Sequence, residues 1–110
     1  MNDCVFCKII ARQIPADIIA ETDDVIVIKD INPKAPIHYL ILPKKHIKDL
    51  QSFEKQDCCY ASKMLLMARD LSHANPQAAQ FRLIMNNGHA AGQRVFHSHI
   101  HFLAGATYTE

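Results

Sequence analysis

Three histidines alternate with other residues in the segment His97-Ser98-His99-Ile100-His101, and no other pattern in the chain constrains the fold as strongly. Side chains alternate across a β-strand, so the imidazoles are expected on one face, with Ser98 and Ile100 on the other. The pattern predicts a strand over residues 95–103 whose second face packs against a helix. Three interpretations of the histidine face compete: exposed polar residues, one metal site formed by all three rings, and chemistry on a phosphorylated substrate.

The spacing of the rings disfavours the metal site made of all three histidines. Along a strand, neighbouring rings lie about 6.6 Å apart and the outer pair about 13 Å apart, whereas a Zn–N bond is near ~2.1 Å. A neutral imidazole is a good nucleophile near pH 7, and it can divide one displacement into two through a phosphohistidine. The preceding Gly92-Gln93-Arg94 offers amide and guanidinium donors to phosphate oxygens. The histidine strand therefore predicts chemistry on a phosphorylated substrate.

Length and pattern predict one α+β domain over residues 1–110. Apolar runs predict strands beginning at residue 18 and over residues 25–28, 38–42, 81–85 and 95–103. A short helix is expected over residues 3–12, capped by Asp3, and a long one over residues 52–74, capped by Ser52. His38 is expected as an exposed strand residue. Strands grouped around two helices without regular βαβ alternation indicate a mainly antiparallel sheet.

Composition excludes several classes of protein. The net charge is +1 and no Lys/Arg run occurs, so the footprint of a non-specific nucleic-acid binder is missing. No apolar stretch approaches the ~20 residues of a membrane span, and the N-terminus lacks a secretory pattern. We therefore expect a cytoplasmic protein with neither nucleic-acid nor membrane partners. In that compartment Cys58 and Cys59 are expected as buried small apolar side chains.

The long helix carries two apolar stripes. One comprises Tyr60, Met64, Met67 and Leu71, and the other comprises Cys58, Ala61, Leu65 and Ala68. One stripe is enough to cover a sheet. The second predicts either a homodimer interface or a single broad buried face.

The N-terminal Cys4-x-x-Cys7 spacing lets two thiolates occupy neighbouring corners of a tetrahedral metal site. No second pair of this kind exists, so the other ligands would have to be histidines. The alternative is that both cysteines are buried thiols.

The histidine segment resembles the His-x-His-x-His signature of the histidine triad (HIT) superfamily. Gly92-Gln93-Arg94-Val95-Phe96 is similar to the sequence that precedes it in the Hint-like branch of nucleotide-binding phosphoramidases. The resemblance covers nearly the whole chain. It extends to four further segments in the family's order: Cys4 to Ile10 with Ile14-Pro15-Ala16, Asp30 to Pro36, Pro43 to Ile47, and Arg82 to Asn86.

The resemblance implies a HIT-like fold: a five-stranded, mainly antiparallel sheet with one long and one short helix, dimerising into a continuous sheet. It implies hydrolysis of the P–N bond of purine nucleoside 5′-phosphoramidates, and of related adenylates, with release of the nucleoside monophosphate. His99 would be the nucleophile that forms a nucleotidyl-histidine, and His101 and His97 would flank it. No cofactor is required for this chemistry.

The family's other roles transfer to matching positions. Gln93 and Asn86 would support the phosphate and the leaving group, and Asp30 would bind the ribose hydroxyls, because one carboxylate can accept from both members of a diol. Nucleotide contacts are implied for a set drawn from the N-terminal helix, the second strand, the glycine loop (residues 86–92) and the segment that follows it: Phe6, Ile9, Ile28, Asp30, Asn86, Gly92, Gln93, Arg94, Val95, His99 and His101.

The resemblance also completes the cysteine pair. Some bacterial members with this N-terminus bind structural zinc through the histidine of Pro-Lys-Lys-His and the first triad histidine, which here are His46 and His97. In that case His97 would be a ligand, and His99 and His101 would carry the chemistry.

Three features depart from the Hint pattern. Arg94 replaces a common serine near the leaving-group nitrogen, and Ser98 replaces an aliphatic residue whose face should be packed, so its hydroxyl needs a partner. Leu103-Ala104-Gly105-Ala106 replaces the usual Gly-Gly-Arg stretch. Two other functions are compatible with the signature: hydrolysis of dinucleoside polyphosphates, and nucleotide-dependent regulation with little catalysis.

Overall fold

The computed structural model describes residues 3–109 as one five-stranded antiparallel sheet with two α-helices. The elements in chain order are α1 (Val5–Ile10), β1 (Ile18–Glu21), β2 (Val25–Lys29), β3 (Ile37–Pro43), α2 (Cys58–Ala74), β4 (Phe81–Ile84) and β5 (Ile100–Ala104). The strands follow the order β1-β2-β3-β5-β4, so β1 and β4 are the two edges. The predicted α+β architecture is confirmed. Within residues 3–109, neither helix combines the length and the apolar composition that a membrane crossing needs.

Alternation along the strands divides the interior into two apolar clusters. Val27 of β2 and Ile41 of β3 point to the face that α2 covers, while Ile26 and Leu40 point to the face that carries α1. Both faces of the central strands are therefore buried. The second face is the one on which the histidine rings lie.

The long helix begins later than predicted. Two 3-10 turns, Leu50–Ser52 and Lys55–Asp57, precede its first residue, and Ser52 lies in the first of them. Asp57, and not Ser52, is the N-cap residue of α2, and its side chain caps the preceding turn by accepting from the backbone N–H of Glu54 at 3.0 Å. The predicted end at Ala74 is confirmed, because Pro76 cannot continue the helical hydrogen bonds.

The short helix is also shorter than predicted. Its cap is Cys4, whose sulfur accepts from the backbone N–H of Cys7 at 3.3 Å, and Asp3 does not cap it. The helix ends at Ile10, since Arg12 adopts a left-handed backbone with φ of 62°.

The prediction that Cys58 and Cys59 are buried is wrong, because both are exposed in the first turn of α2. Their helix positions face away from the sheet. The stripe that covers the sheet is formed by Met64, Met67 and Leu71 together with Ala68, and Leu65 of the second stripe is 55% exposed.

The last strand also starts later than predicted, at Ile100, because residues 95–99 run as an irregular segment. The alternation nevertheless persists: Ile100 and Phe102 join the α2 cluster, and His101 points to the other face. Within the irregular segment, the backbone N–H of Ser98 donates to the carbonyl oxygen of Ile47 at 2.6 Å. That hydrogen bond holds the segment against the loop that follows β3.

The hydroxyl of Ser98 is buried at 1% exposure and has no hydrogen-bond partner among the described residues. An unsatisfied buried polar group costs about 1–3 kcal/mol. We therefore expect Ser98→Ala to raise the free energy of unfolding by about 1 kcal/mol, measured by urea denaturation. Ser52→Ala is the matched control, since its hydroxyl donates to Asp49 at 2.7 Å, and this change should not stabilise. A loss of stability in Ser98→Ala would show that its hydroxyl is satisfied.

Candidate functional site

A cleft of about 980 Å³ opens on the sheet face opposite α2. Ten of the residues that sequence reasoning assigned to nucleotide binding line it: Phe6, Ile9, Ile28, Asp30, Asn86, Gly92, Arg94, Val95, His99 and His101. The fold thus brings together segments that lie up to 95 positions apart in sequence (6 to 101).

One end of the cleft is apolar. Phe6 and Ile9 of α1 and Ile28 of β2 are buried in one cluster, with Val95 packed against it. The ring of Phe6 meets the ring of His99 edge-on, with centroids 5.2 Å apart. This end therefore offers a dry surface beside the middle histidine.

The ring of His99 is held with one nitrogen committed. Its Nδ1 lies 2.8 Å from the carbonyl oxygen of His97. A carbonyl only accepts, so Nδ1 carries the hydrogen and Nε2 retains its lone pair. The ring is 7% exposed, and burial is the main reason that the pKa of His99 lies below its ordinary value. The middle histidine is therefore neutral, with an unprotonated nitrogen.

A chain of hydrogen bonds fixes the proton on His101 in the same way. The backbone N–H of Lys34 donates to Nδ1 of His38 at 2.9 Å, so the hydrogen of the His38 ring is on Nε2. That nitrogen lies 2.9 Å from Nδ1 of His101, which must accept. His101 therefore keeps its hydrogen on Nε2 and is a donor.

Asp30, the residue after β2, lies beside the hydrogen-bonded pair of His38 and His101. Its Oδ2 lies 3.4 Å from Nε2 of His38 and 4.0 Å from Nδ1 of His101. Its Oδ1 accepts from the backbone N–H of Asn32 at 2.8 Å, which orients the carboxylate. Asp30 therefore borders the two imidazoles while still lining the cleft.

The pKa of His101 is lowered to about 4, mainly by burial and further by the neighbouring His99 and His38, against an opposing effect of Asp30. Between pH 6.5 and about pH 4 this ring is protonated in the unfolded chain but not in the folded chain. The free energy of unfolding therefore falls as the pH drops through this range. One such ring contributes a loss of up to about 1.4 kcal/mol per pH unit.

We expect the free energy of urea unfolding to fall between pH 7 and pH 5 by less in His101→Asn than in the parent chain. His73→Asn, at the exposed end of α2, is the control variant. Equal losses in His101→Asn and the parent would show that His101 does not titrate in this way.

Gln93 differs from its expected role. Its side chain is 1% exposed and does not line the cleft. Its Oε1 accepts from the backbone N–H of Gly88 at 2.9 Å, and its Nε2 donates to the carbonyl oxygens of Lys48 at 2.7 Å and Val95 at 3.1 Å. The amide is thus used inside the protein, where it braces the glycine loop, and is not directed at a ligand.

Gly92 ends that loop in a left-handed conformation, with φ of 102°. A Cβ at this position would lie 3.6 Å from Cγ of Asn86, which is ordinary contact, so the backbone angle rather than space requires glycine. Asn86 and Gly92 both face the cleft beside the histidines.

A second cluster lies behind the cleft. The ligand atoms of Cys4, Cys7, His46 and His97 all lie within 4.8 Å of one another. The Sγ–Nδ1 distances are 3.4 Å for Cys4–His97, 3.2 Å for Cys7–His46 and 3.6 Å for Cys7–His97. In a tetrahedral zinc centre, Zn–S of about 2.3 Å and Zn–N of about 2.1 Å separate the two atoms by about 3.6 Å. The four side chains are therefore close enough to bind one metal ion.

The proton positions also fit a metal. Nε2 of His97 lies 2.8 Å from the carbonyl oxygen of Pro43, so that nitrogen carries the hydrogen and Nδ1 faces the sulfurs with its lone pair. His97 is fully buried and does not line the cleft. Of the three imidazoles of the histidine segment, His99 and His101 therefore line the cleft, whereas His97 belongs to the cysteine cluster behind it.

The same reasoning disfavours a metal at Asp30, His38 and His101, which also lie close together. Nδ1 of His38 already accepts a backbone hydrogen from Lys34. The Nε2 atom must then keep its own hydrogen, so it cannot also give a lone pair to a metal. This second group is a hydrogen-bond relay.

Sequence reasoning missed His38, which is buried rather than exposed. Its position in β3 contained the signal: His38 and Leu40 are two residues apart, so they share the face of the apolar α1 cluster. It also missed the cleft residues of β4 and the tail, among them Arg82, Ile84 and Tyr108. The family resemblance includes the segment Arg82 to Asn86 but implies a role only for Asn86, and no motif marks Tyr108.

Comparison with protein families gives one model, described as "Scavenger mRNA decapping enzyme C-term binding", that matches residues 3–110. The chain is 41% identical over 108 residues to an uncharacterized HIT-like protein of Synechocystis, a match that covers 98% of this chain and 95% of that protein. It is 38% identical over 103 residues to Protein HitA of Neisseria gonorrhoeae, covering 94% of this chain and 96% of that one.

A solved structure shares both fold and sequence. A HIT family hydrolase from Clostridium thermocellum superposes with a TM-score of 0.95 at 41% identity, over 100% of this chain and 96% of that chain. The five-stranded antiparallel sheet with its long helix is therefore a known fold.

Proposed function

The chain belongs to the histidine triad superfamily, and we propose that it is a Hint-like hydrolase of purine nucleoside 5′-phosphoramidates and related adenylates. The related solved structures named as HIT family hydrolases support hydrolase activity. The observation that carries the proposal is the state of His99: its Nδ1–H is committed to the carbonyl oxygen of His97, so an unprotonated Nε2 is available as a nucleophile.

The reaction proceeds in two displacements at phosphorus. First, Nε2 of His99 forms a bond to phosphorus, the P–N bond of the substrate breaks, and the leaving nitrogen takes a proton from water in the cleft. His101 holds a hydrogen on Nε2 in the same cleft, and we assign it as a hydrogen-bond donor to the phosphoryl oxygens. Water then attacks phosphorus, the P–Nε2 bond breaks, the proton of the attacking water passes to solvent, and the nucleoside monophosphate leaves with His99 restored.

The nucleoside is assigned to the apolar end of the cleft. Phe6, Ile9 and Ile28 offer flat apolar surface for a purine, and Asp30 stands between that surface and His101. A ribose held at Asp30 would place its 5′-phosphate next to the histidines. Asn86 and Gly92 border the phosphate on its other side.

The test is turnover of adenosine 5′-phosphoramidate, followed as release of adenosine monophosphate, with acid-labile adenylation of the intact chain measured by mass spectrometry. Turnover with an adduct on a peptide containing residue 99 is the expected result. Binding without either would indicate a nucleotide-dependent regulatory protein. Faster turnover of diadenosine polyphosphates would instead place the chain with the dinucleoside polyphosphate hydrolases.

We propose zinc as the metal of the Cys4, Cys7, His46 and His97 cluster, in a structural role. Two thiolates and two imidazoles form a closed tetrahedral set, which would tie α1 to the loop after β3 and to the histidine segment. The metal takes no part in the two displacements at phosphorus. Reduced thiolate ligands persist in a reducing compartment, which supports a cytoplasmic location.

We propose a homodimer that extends the sheet across β4. This strand is an edge, and the large apolar side chains Phe81 on β4 and Leu65 and Leu66 on α2 are exposed in the single chain. Unpaired edges with apolar neighbours favour strand pairing.

Sedimentation is expected to give the mass of two chains for the parent and of one chain for Phe81→Lys. Ile18→Lys on the opposite edge, β1, is the control that should remain dimeric.

A further inference from the structure

We propose that the β4 side of the cleft is an anion subsite formed by Arg82 and Arg94, which selects leaving groups that carry a carboxylate or a phosphate. The inference rests on the proposed function, because it names the substrate class within that reaction. Arg82 was not expected to take part, and Arg94 stands where a serine is common in the Hint pattern.

The strand order places Arg82 beyond the reacting histidines, and Arg94 lines the cleft from the irregular segment that precedes β5. The nucleoside end of the cleft lies over β2, where Ile28 and Asp30 are, and β3 and β5 follow in the sheet. His101 of β5 pairs with Ile84 of β4, and Leu103 pairs with Arg82. If the nucleoside of a substrate lies over β2 and its phosphate lies at the histidines, its leaving group therefore lies over β4.

Both guanidinium groups are anchored by neutral partners. Arg82 lies over the ring of Tyr108, with its Cζ 4.4 Å from the centroid, and donates from Nη2 to the carbonyl oxygen of Thr109 at 3.2 Å. Arg94 donates from Nη1 to the carbonyl oxygen of His89 at 2.9 Å. These contacts position each guanidinium group without adding a negative charge, and they use only part of its set of N–H donors.

Charge is distributed unequally along the cleft. At the nucleoside end, the carboxylates of Asp17 and Asp30 are accompanied by Lys29 and Lys34, whereas Arg82 and Arg94 have no carboxylate beside them among the described lining residues. Within residues 3–109, no carboxylate forms an ion pair with Arg82 or Arg94. A neutral amine would use neither arginine, whereas an anionic leaving group would form charge-assisted hydrogen bonds there.

The test uses matched pairs of adenosine 5′-phosphoramidates. Phenylalanine and phenethylamine differ only by a carboxylate, and O-phosphoethanolamine and ethanolamine differ only by a phosphate. For the parent we expect kcat/KM to favour the anionic member of at least one pair by about five- to tenfold at low salt. The pair with the larger ratio identifies the anion.

Arg82→Gln and Arg94→Gln should each lower that ratio toward one. Arg69→Gln is the control, because it removes the same charge from the exposed surface of α2, where the guanidinium of Arg69 donates to Asp70. Here the ratio should not change. The same pairs are then titrated into His99→Ala by calorimetry, so that anion preference is measured without turnover.

The two proposals fail differently in these assays. Binding by His99→Ala that favours the anionic member, in a protein whose parent hydrolyses nothing, would overturn the proposed function and leave the anion subsite standing. Ratios near one in both turnover and binding, or ratios that Arg82→Gln and Arg94→Gln do not change, would overturn the anion subsite alone.

Discussion

Replacing His99 with alanine is expected to lower kcat/KM for adenosine 5′-phosphoramidate by at least about 10³-fold, because the variant lacks the nucleophile and cannot form the covalent intermediate. In the structure, no other imidazole replaces it: His97 has both nitrogens engaged at the cysteine cluster and Pro43. His101 holds its hydrogen on Nε2. Release of adenosine monophosphate and adenylation of the chain should be lost together.

The matched control is His73→Ala, on the exposed last turn of α2, which should retain the parent's rate. Circular dichroism and nucleotide binding establish that His99→Ala is folded. If His99→Ala is folded yet keeps more than a few per cent of the parent's rate, a nucleotidyl-histidine at residue 99 is not on the pathway.

Replacing Cys7 with serine is expected to remove bound zinc and to lower the melting temperature by about 10–20 °C, since a ligand present at a thousand times its Kd stabilises by about 4 kcal/mol. Cys7 is the residue to change because its sulfur lies near both histidines of the cluster, at 3.2 Å from His46 and 3.6 Å from His97. Metal content is measured by mass spectrometry and stability by calorimetry.

Cys59→Ser is the control, since this thiol is exposed on α2, away from the cluster, and its zinc content and melting temperature should match those of the parent. A strong chelator should reproduce the effect of Cys7→Ser in the parent protein. Stoichiometric zinc in Cys7→Ser, or a parent protein that melts at the same temperature with and without chelator, would argue against a structural metal.

The alternation of side chains along each predicted strand was sufficient to predict the antiparallel sheet and the sheet face on which His99 and His101 lie. It was not sufficient to place His97, since the strand begins only at Ile100 and the irregular segment before it turns that ring into the cysteine cluster. The hydrogen bond from Ser98 N–H to Ile47 joins residues 51 positions apart (47 to 98). No local pattern encodes such a contact.

The two exposed cysteines and the buried Gln93 show a second limit of sequence reasoning. Residue type favoured burial for Cys58 and Cys59 and ligand contact for Gln93, but tertiary position decided each of them. Cys58 and Cys59 fall on the outer side of α2. The amide of Gln93 is used by three backbone groups that only the folded loop brings together.

His97 joins two parts of the molecule through a single residue. Its ring lies against the sulfur of Cys4, and its carbonyl oxygen accepts the hydrogen on Nδ1 of His99. A displacement of the ring is therefore transmitted across one Cα atom to the group that aims His99. The position of Cys4 at the start of α1 therefore influences the orientation of the His99 ring, from which we propose attack on phosphorus. A change at Cys4 would alter that orientation although no residue that lines the cleft is changed.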